Sequence, residues 1–196
     1  MKKERFEWIH SWCDETAIDN LPRVLLIGDS ICNNYQHLVR ENLKGVAVVD
    51  YVATSYAVDS KMYNLLVENF AKDSKYDVIH INHGLHGFHM SIRTYTAKMD
   101  KLINKLRTQG KVILCETTAV KTQGNKRYDT AWMKKIYARN GAISSLSKKY
   151  GLKVNPLFDL SVSINDIHRM DDGVHFEESG SAILAEQVAS VIKEEL

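Results

Sequence analysis

Five short apolar runs, rich in β-branched residues, recur along the chain and narrow the folds open to it more than any other feature. They are RVLLIG (23–28), VAVVDYV (46–52), YDVIHIN (76–82), KVILCETT (111–118) and LKVNPLF (152–158). A run apolar at nearly every position, rather than at alternate ones, suits a strand covered on both faces, as parallel sheets require. Stretches with helical spacing lie between the runs. Gln109-Gly110 and Tyr150-Gly151 each close such a stretch with a glycine just before a strand, a common helix stop. The last stretch, roughly 179–195, follows FEESG and sets Ile183, Leu184, Val188 and Ile192 at helical intervals. Alternation of this kind predicts a doubly wound α/β fold with three layers, α/β/α, around a five-stranded parallel sheet. Right-handed crossovers then gather the functional loops at the carboxyl ends of the strands.

A chain of 196 residues with two prolines, no internal repeat and no linker-like tract fits one domain. Residues 23–196 are expected to form its body. Residues 1–22, with Trp8 and Trp12 one helical turn apart, are expected to form an extra helix packed on that body. A formal net charge of +2, with lysines scattered over helix faces, gives no reason to expect a nucleic-acid partner. Nowhere do about 18 apolar residues run together, so no membrane span is expected. The start of the sequence, KKERFEWIHSW, has no apolar run of about 7–15 residues, so no cleaved leader is expected. Cys13, Cys32 and Cys115 are odd in number and widely spaced, which favours reduced thiols and a cytoplasmic location.

Two motifs carry chemistry. In VLLIGDSICNNY the first strand runs into Gly28, Asp29 and Ser30, and a helix begins near Ile31. Ser30 thus falls at the carboxyl edge of the sheet and at a helix N-terminus, where free N–H groups stabilise an oxyanion. The plainer reading is that Asp29 or Ser30 only caps the helix. In MDDGVHFEESG, Asp172 stands three residues before His175, just ahead of the last helix. A serine hydroxyl is a poor nucleophile until a histidine takes its proton, and that histidine needs a carboxylate to fix its tautomer. The glycines of nucleotide-cradling motifs are missing from the first block.

With both motifs in this order, the chain resembles the SGNH hydrolases, also called GDSL esterases and lipases. IGDS matches that family's first block, with Ser30 as nucleophile. DGVH matches its last, with Asp172 and His175 as carboxylate and base. The resemblance runs from Arg23 onward and implies a flavodoxin-like fold and ester hydrolysis with no metal or organic cofactor. The family's third block reads Gly-x-Asn, the asparagine donating to the oxyanion; here it is Gly84-Leu85-His86. A neutral imidazole carries one N–H and can donate as an amide does. The glycine usual after the second strand is missing from YVATSYAVDS, so a backbone N–H at Ser55 or Tyr56 is expected in its place. The expected oxyanion hole is therefore Ser30, Ser55 and His86, with Gly84 opening the third block.

HINHGLHGFH holds four of the eight histidines, at every third position from His80 to His89. A metal site is the obvious alternative, but strand residues alternate faces, Gly84 and Gly87 argue against a helix, and the stretch has no carboxylate or cysteine. His80 is expected in a buried strand, His83 and His89 in supporting positions. The reading is a serine esterase acting on a small-molecule ester. Polar residues at the strand ends favour a short acyl group, acetyl above all, on a carbohydrate or other polar alcohol. Two alternatives stand beside it: a long-chain acyl hydrolase (lysophospholipase or thioesterase), and a degenerate hydrolase fold that only binds an acylated ligand.

Overall fold

The computed structural model describes residues 4–196. Its elements are β1 (Ile9–Trp12), β2 (Arg23–Gly28), α1 (Ser30–Asn42), β3 (Val48–Thr54), α2 (Lys61–Asp73), β4 (Val78–Asn82), α3 (Ile92–Leu106), β5 (Lys111–Cys115), α4 (Thr130–Tyr150), β6 (Lys153–Asn155), α5 (Leu157–Ser163) and α6 (Glu178–Lys193). The sheet order is β1-β3-β2-β4-β5-β6. Strands β2 to β6 are parallel, and in their own numbering the order is 2-1-3-4-5, the flavodoxin arrangement. The chain turns outward in both directions from β2, so a crevice opens at the carboxyl ends of β2 and its neighbours.

Two cores fill the space on either side of the sheet. Val24 and Leu26 of β2 face one with Tyr35 and Val39 of α1 and Leu184 and Val188 of α6. Leu25 and Ile27 face the other with Val67 of α2, Met99 of α3 and Ile143 of α4. Consecutive residues of one strand feeding opposite cores explain why the runs are apolar throughout. No described helix is long and apolar enough to cross a membrane.

The N-terminal segment corrects an expectation. Residues 1–3 lie outside the described residues, and among the described ones the segment forms no helix: β1 lies antiparallel on β3, from Ile9 opposite Thr54 to Trp12 opposite Tyr51, giving six described strands in the sheet. Trp8 is half-buried and Trp12 is 56% exposed, so neither is a core residue. The β3 edge offered unpaired N–H and C=O groups, and pairing satisfies more of them than a short isolated helix would. Smaller differences follow local chemistry. Pro156 ends the last strand at Asn155, and the residues expected to continue it begin α5.

Candidate active site

The β2–α1 junction is organised by Asp29. Its backbone is extended and its Oδ1 accepts from Ile31 N–H at 3.0 Å, capping α1. Its Oδ2 accepts from Leu85 N–H at 3.3 Å, tying the loop after β4 to the same point. Asp29 is therefore fully buried yet satisfied on both oxygens. Ser30 is the first residue of α1, so its own N–H is among those a helix leaves without an internal acceptor.

Ser30 Oγ lies 2.8 Å from His175 Nε2, and His175 Nδ1 lies 2.6 Å from Asp172 Oδ2. Asp172 Oδ1 accepts from the N–H groups of Val174 and His175, at 2.8 and 2.9 Å. Partial burial of Asp172 opposes its charge. Donation from the His175 ring and from the two N–H groups outweighs it, holding the carboxyl below its usual pKa. Nothing local in the sequence dictates how the loop bearing this pair meets Ser30; the meeting depends on several distant hydrogen bonds. Lys121 N–H donates to Gly173 O at 2.9 Å, and Met170 N–H to His175 O at 3.0 Å. Gly173 has φ of +75°, and a Cβ there would come within 2.2 Å of Lys121 O, so glycine is required. Arg169 reaches back to Ala119 O and Ser161 O, with its guanidinium 4.5 Å from the Phe176 ring centroid.

The loop after β4 is fixed from α4. Buried Arg139 donates from Nη1 to Gly84 O and His86 O, both at 2.6 Å, and from Nη2 to Gly87 O at 2.8 Å. Asn140, next in sequence, exchanges two hydrogen bonds with the backbone of Thr117. A Cβ at Gly84 would fall 1.6 Å from Thr117 Oγ1, so the β4 and β5 loops touch only because residue 84 is glycine. Neither Arg139 nor Asn140 stood out in the sequence, where they read as one more polar pair on a helix.

The four histidines go separate ways. His80 is buried in β4 with Nε2 3.1 Å from Asn155 Nδ2, and burial pulls its pKa down to about 3. His83 is buried against the Tyr63 ring, at 4.5 Å between centroids, with no partner for either nitrogen among the described residues and its pKa pulled down to about 4 by burial. His89 Nε2 contacts Asp59 Oδ2 at 2.9 Å. His86 Nδ1 contacts Glu4 Oε1 at 2.8 Å, while its Nε2 is buried with no partner among the described residues. The rings of His83 and His86 stack at 5.9 Å. Among the described residues, no group of three or more His, Cys, Asp or Glu side chains is placed to share a metal ion.

One expected oxyanion donor is corrected. Ser55 N–H is occupied: it donates to Trp8 O at 3.3 Å, because the pairing of β1 with β3 continues past Thr54. Tyr56 N–H is taken by Thr54 Oγ1 at 3.1 Å. Ser55 instead anchors the N-terminal arm, its Oγ donating to Glu7 Oε2 at 2.8 Å and accepting from Trp8 N–H at 2.9 Å. Gly84 contributes close packing and a carbonyl for Arg139.

No protein-family model matches the sequence, and no curated protein is similar to it. Solved structures are similar in fold. A lipase/acylhydrolase from Enterococcus faecalis superposes with a TM-score of 0.71 at 16% identity, covering 90% of this chain and 97% of that one. A lipolytic protein of the G-D-S-L family from Veillonella parvula DSM 2008 gives 0.70 at 17%, covering 87% and 98%. A catalytic mutant of an acetylxylan esterase from Geobacillus stearothermophilus gives 0.66 at 15%, covering 87% and 94%. At these identities, what the chain shares with these enzymes is their three-layer α/β/α fold, over nearly their whole length.

Proposed function

We propose that the protein is a serine esterase that hydrolyses a carboxylic ester through an acyl-enzyme on Ser30. The observation that carries this reading is the unbroken line of contacts Ser30 Oγ–His175 Nε2 and His175 Nδ1–Asp172 Oδ2, at 2.8 and 2.6 Å, in the crevice at the end of β2. The sequence of steps follows from the chemistry of that line. As Ser30 Oγ bonds to the acyl carbon, its proton passes to His175 Nε2 and the carbonyl oxygen becomes an oxyanion. Ionised Asp172 stabilises the imidazolium. The carbon–alkoxide bond then breaks, and His175 returns the proton to the departing alcohol. Water gives its proton to His175 and attacks the acyl-enzyme, releasing the acid and restoring Ser30.

Ser30 N–H and the His86 imidazole are the oxyanion donors in this reading, with Ser55 excluded by its bond to Trp8. The preferred substrate is a short acyl ester, an acetyl group on a carbohydrate or other polar alcohol. Polar loop residues such as Thr122, Asn125 and Tyr128 beside the His175 loop support it, as does the acetylxylan esterase among the fold neighbours. The test is hydrolysis of p-nitrophenyl esters of graded chain length by wild type and Ser30→Ala. Turnover that peaks at acetate and vanishes in the variant is expected. Turnover rising with chain length would move the substrate to long acyl groups, and none at any length would leave a binding fold.

A further inference from the structure

Residues 4–8 form an arm tied to the loops after β3 and β4. Trp8 and Glu7 are tied to Ser55 after β3, and Thr54 Oγ1 donates to Trp8 O at 2.6 Å. Glu4 reaches His86 after β4. Because β2 lies between β3 and β4 in the sheet, the arm's two anchor points flank the end of β2, where Ser30 begins α1.

The 2.8 Å contact between Glu4 Oε1 and His86 Nδ1 restricts what that imidazole can do. Glu4 is held ionised: the hydrogen bond from His86 draws its pKa below the usual carboxylate value, against the opposing effect of burial. A carboxylate at that distance requires the proton on Nδ1. If His86 is then neutral, its Nε2 presents a lone pair and repels an oxyanion; only the imidazolium has a second N–H to give. Nε2 is the buried atom with no partner among the described residues. The charged groups around the ring come from every element packed on it: Glu4 and Glu7 from the arm, Asp29 from the β2–α1 turn, Arg139 from α4 and His83 from its own loop. Three of these are carboxylates, and His83 is kept neutral by burial.

We propose that Glu4 is a positioning residue that, through His86 Nδ1, keeps the ring doubly protonated and turns Nε2–H into a charged oxyanion donor. The inference rests on the esterase reading above and gives it a pH dependence. Burial alone would push the His86 proton off, and the carboxylates outweigh it, leaving the pKa raised. Turnover needs His175 neutral and His86 charged, so kcat falls on the alkaline side as His86 loses its proton. This replaces the simpler picture of a neutral imidazole standing in for an amide.

The experiment is the pH profile of kcat for p-nitrophenyl acetate, with histidine side-chain ¹⁵N NMR on the same full-length proteins. Glu4 is about half-exposed (46% of its side chain), so Glu4→Gln should fold. It should move the alkaline limb to lower pH and reduce kcat at pH 8 by about tenfold or more, up to the ~10²–10³ typical of a lost oxyanion donor. His86→Asn, whose amide donates without charge, should lose that limb, and adding Glu4→Gln to it should change kcat less than about twofold. The proposal is overturned if the limb stays in place in Glu4→Gln, if the same loss recurs on the His86→Asn background, or if NMR finds His86 neutral in the wild type at pH 7. Absence of Ser30-dependent hydrolysis in the wild type would instead overturn the esterase reading, and this role with it.

Discussion

Replacing Arg139 by Met should damage stability and turnover together. Arg139 is 3% exposed; its guanidinium holds the carbonyls of Gly84, His86 and Gly87 and has its Cζ 4.4 Å from the ring centroids of both Phe88 and Tyr95. Among the described residues no carboxylate pairs with it, so the loop carbonyls are its principal polar partners. Methionine fills much of the volume but leaves those carbonyls without a donor. At about 1–3 kcal/mol for each orphaned group, and with part of the loop opening to water, the net loss should be about 3 kcal/mol. Recovering the cost of burying a charge keeps it below the simple sum. Because the His86 carbonyl is one of the three, the imidazole should also drift from its place. We therefore expect kcat to fall about tenfold to a hundredfold, with KM less affected, since the imidazole's hydrogen bond to substrate strengthens only as the oxyanion forms. Arg139→Lys, whose compact ammonium cannot span all three carbonyls, should fall between. Urea unfolding and steady-state ester hydrolysis read both effects. A stable Arg139→Met variant with unchanged kcat would refute the idea that this side chain sets the loop.

Ser30→Ala, His175→Ala and the double variant should lose nearly the same factor in kcat, because the two residues share one proton transfer; losses that multiply would contradict the pairing. His86→Ala should lower kcat by about 10²–10³, with much of the rate restored in His86→Asn, while His89→Ala, whose ring is engaged with Asp59, should change little. Acid should weaken the fold through His80 and His83, held at about 3 and about 4 against 6.5 for an ordinary histidine. With folded values below the unfolded one, the unfolded chain binds more protons, so their contribution is intact above pH 6.5 and is lost as pH falls towards 3. The urea midpoint should drop across that window, and less steeply in His80→Leu; an equal slope in the variant would contradict the assignment.

How much was readable in advance depends on how local the determinants are. The strand 23–28 and the Gly28-Asp29-Ser30 junction were legible because burial on both faces and helix capping act within a few residues. The contact between Asp172 and His175 is local too, at a spacing of three. The arm was not legible. Over Ile9–Trp12 the pattern suits period 2 as well as period 3.6, and only the free edge of β3, some 40 residues away, decides between them. That same pairing removes Ser55 N–H from the oxyanion hole, which no inspection of YVATSYAVDS alone reveals. Glu4 and His86 are 82 positions apart, and Arg139 and His86 are 53 apart. In KKIYARN a buried arginine looks like another solvated charge.

In the proposed reaction Ser30 Oγ carries a covalent acyl group between the two half-reactions. Wild-type protein mixed briefly with p-nitrophenyl acetate, quenched in acid and digested should carry one acetyl group on the peptide containing Ser30, as read by mass spectrometry. The label should be absent from Ser30→Ala and form far more slowly in His175→Ala. Acetyl found on a cysteine or histidine instead, or full turnover by Ser30→Ala, would contradict it.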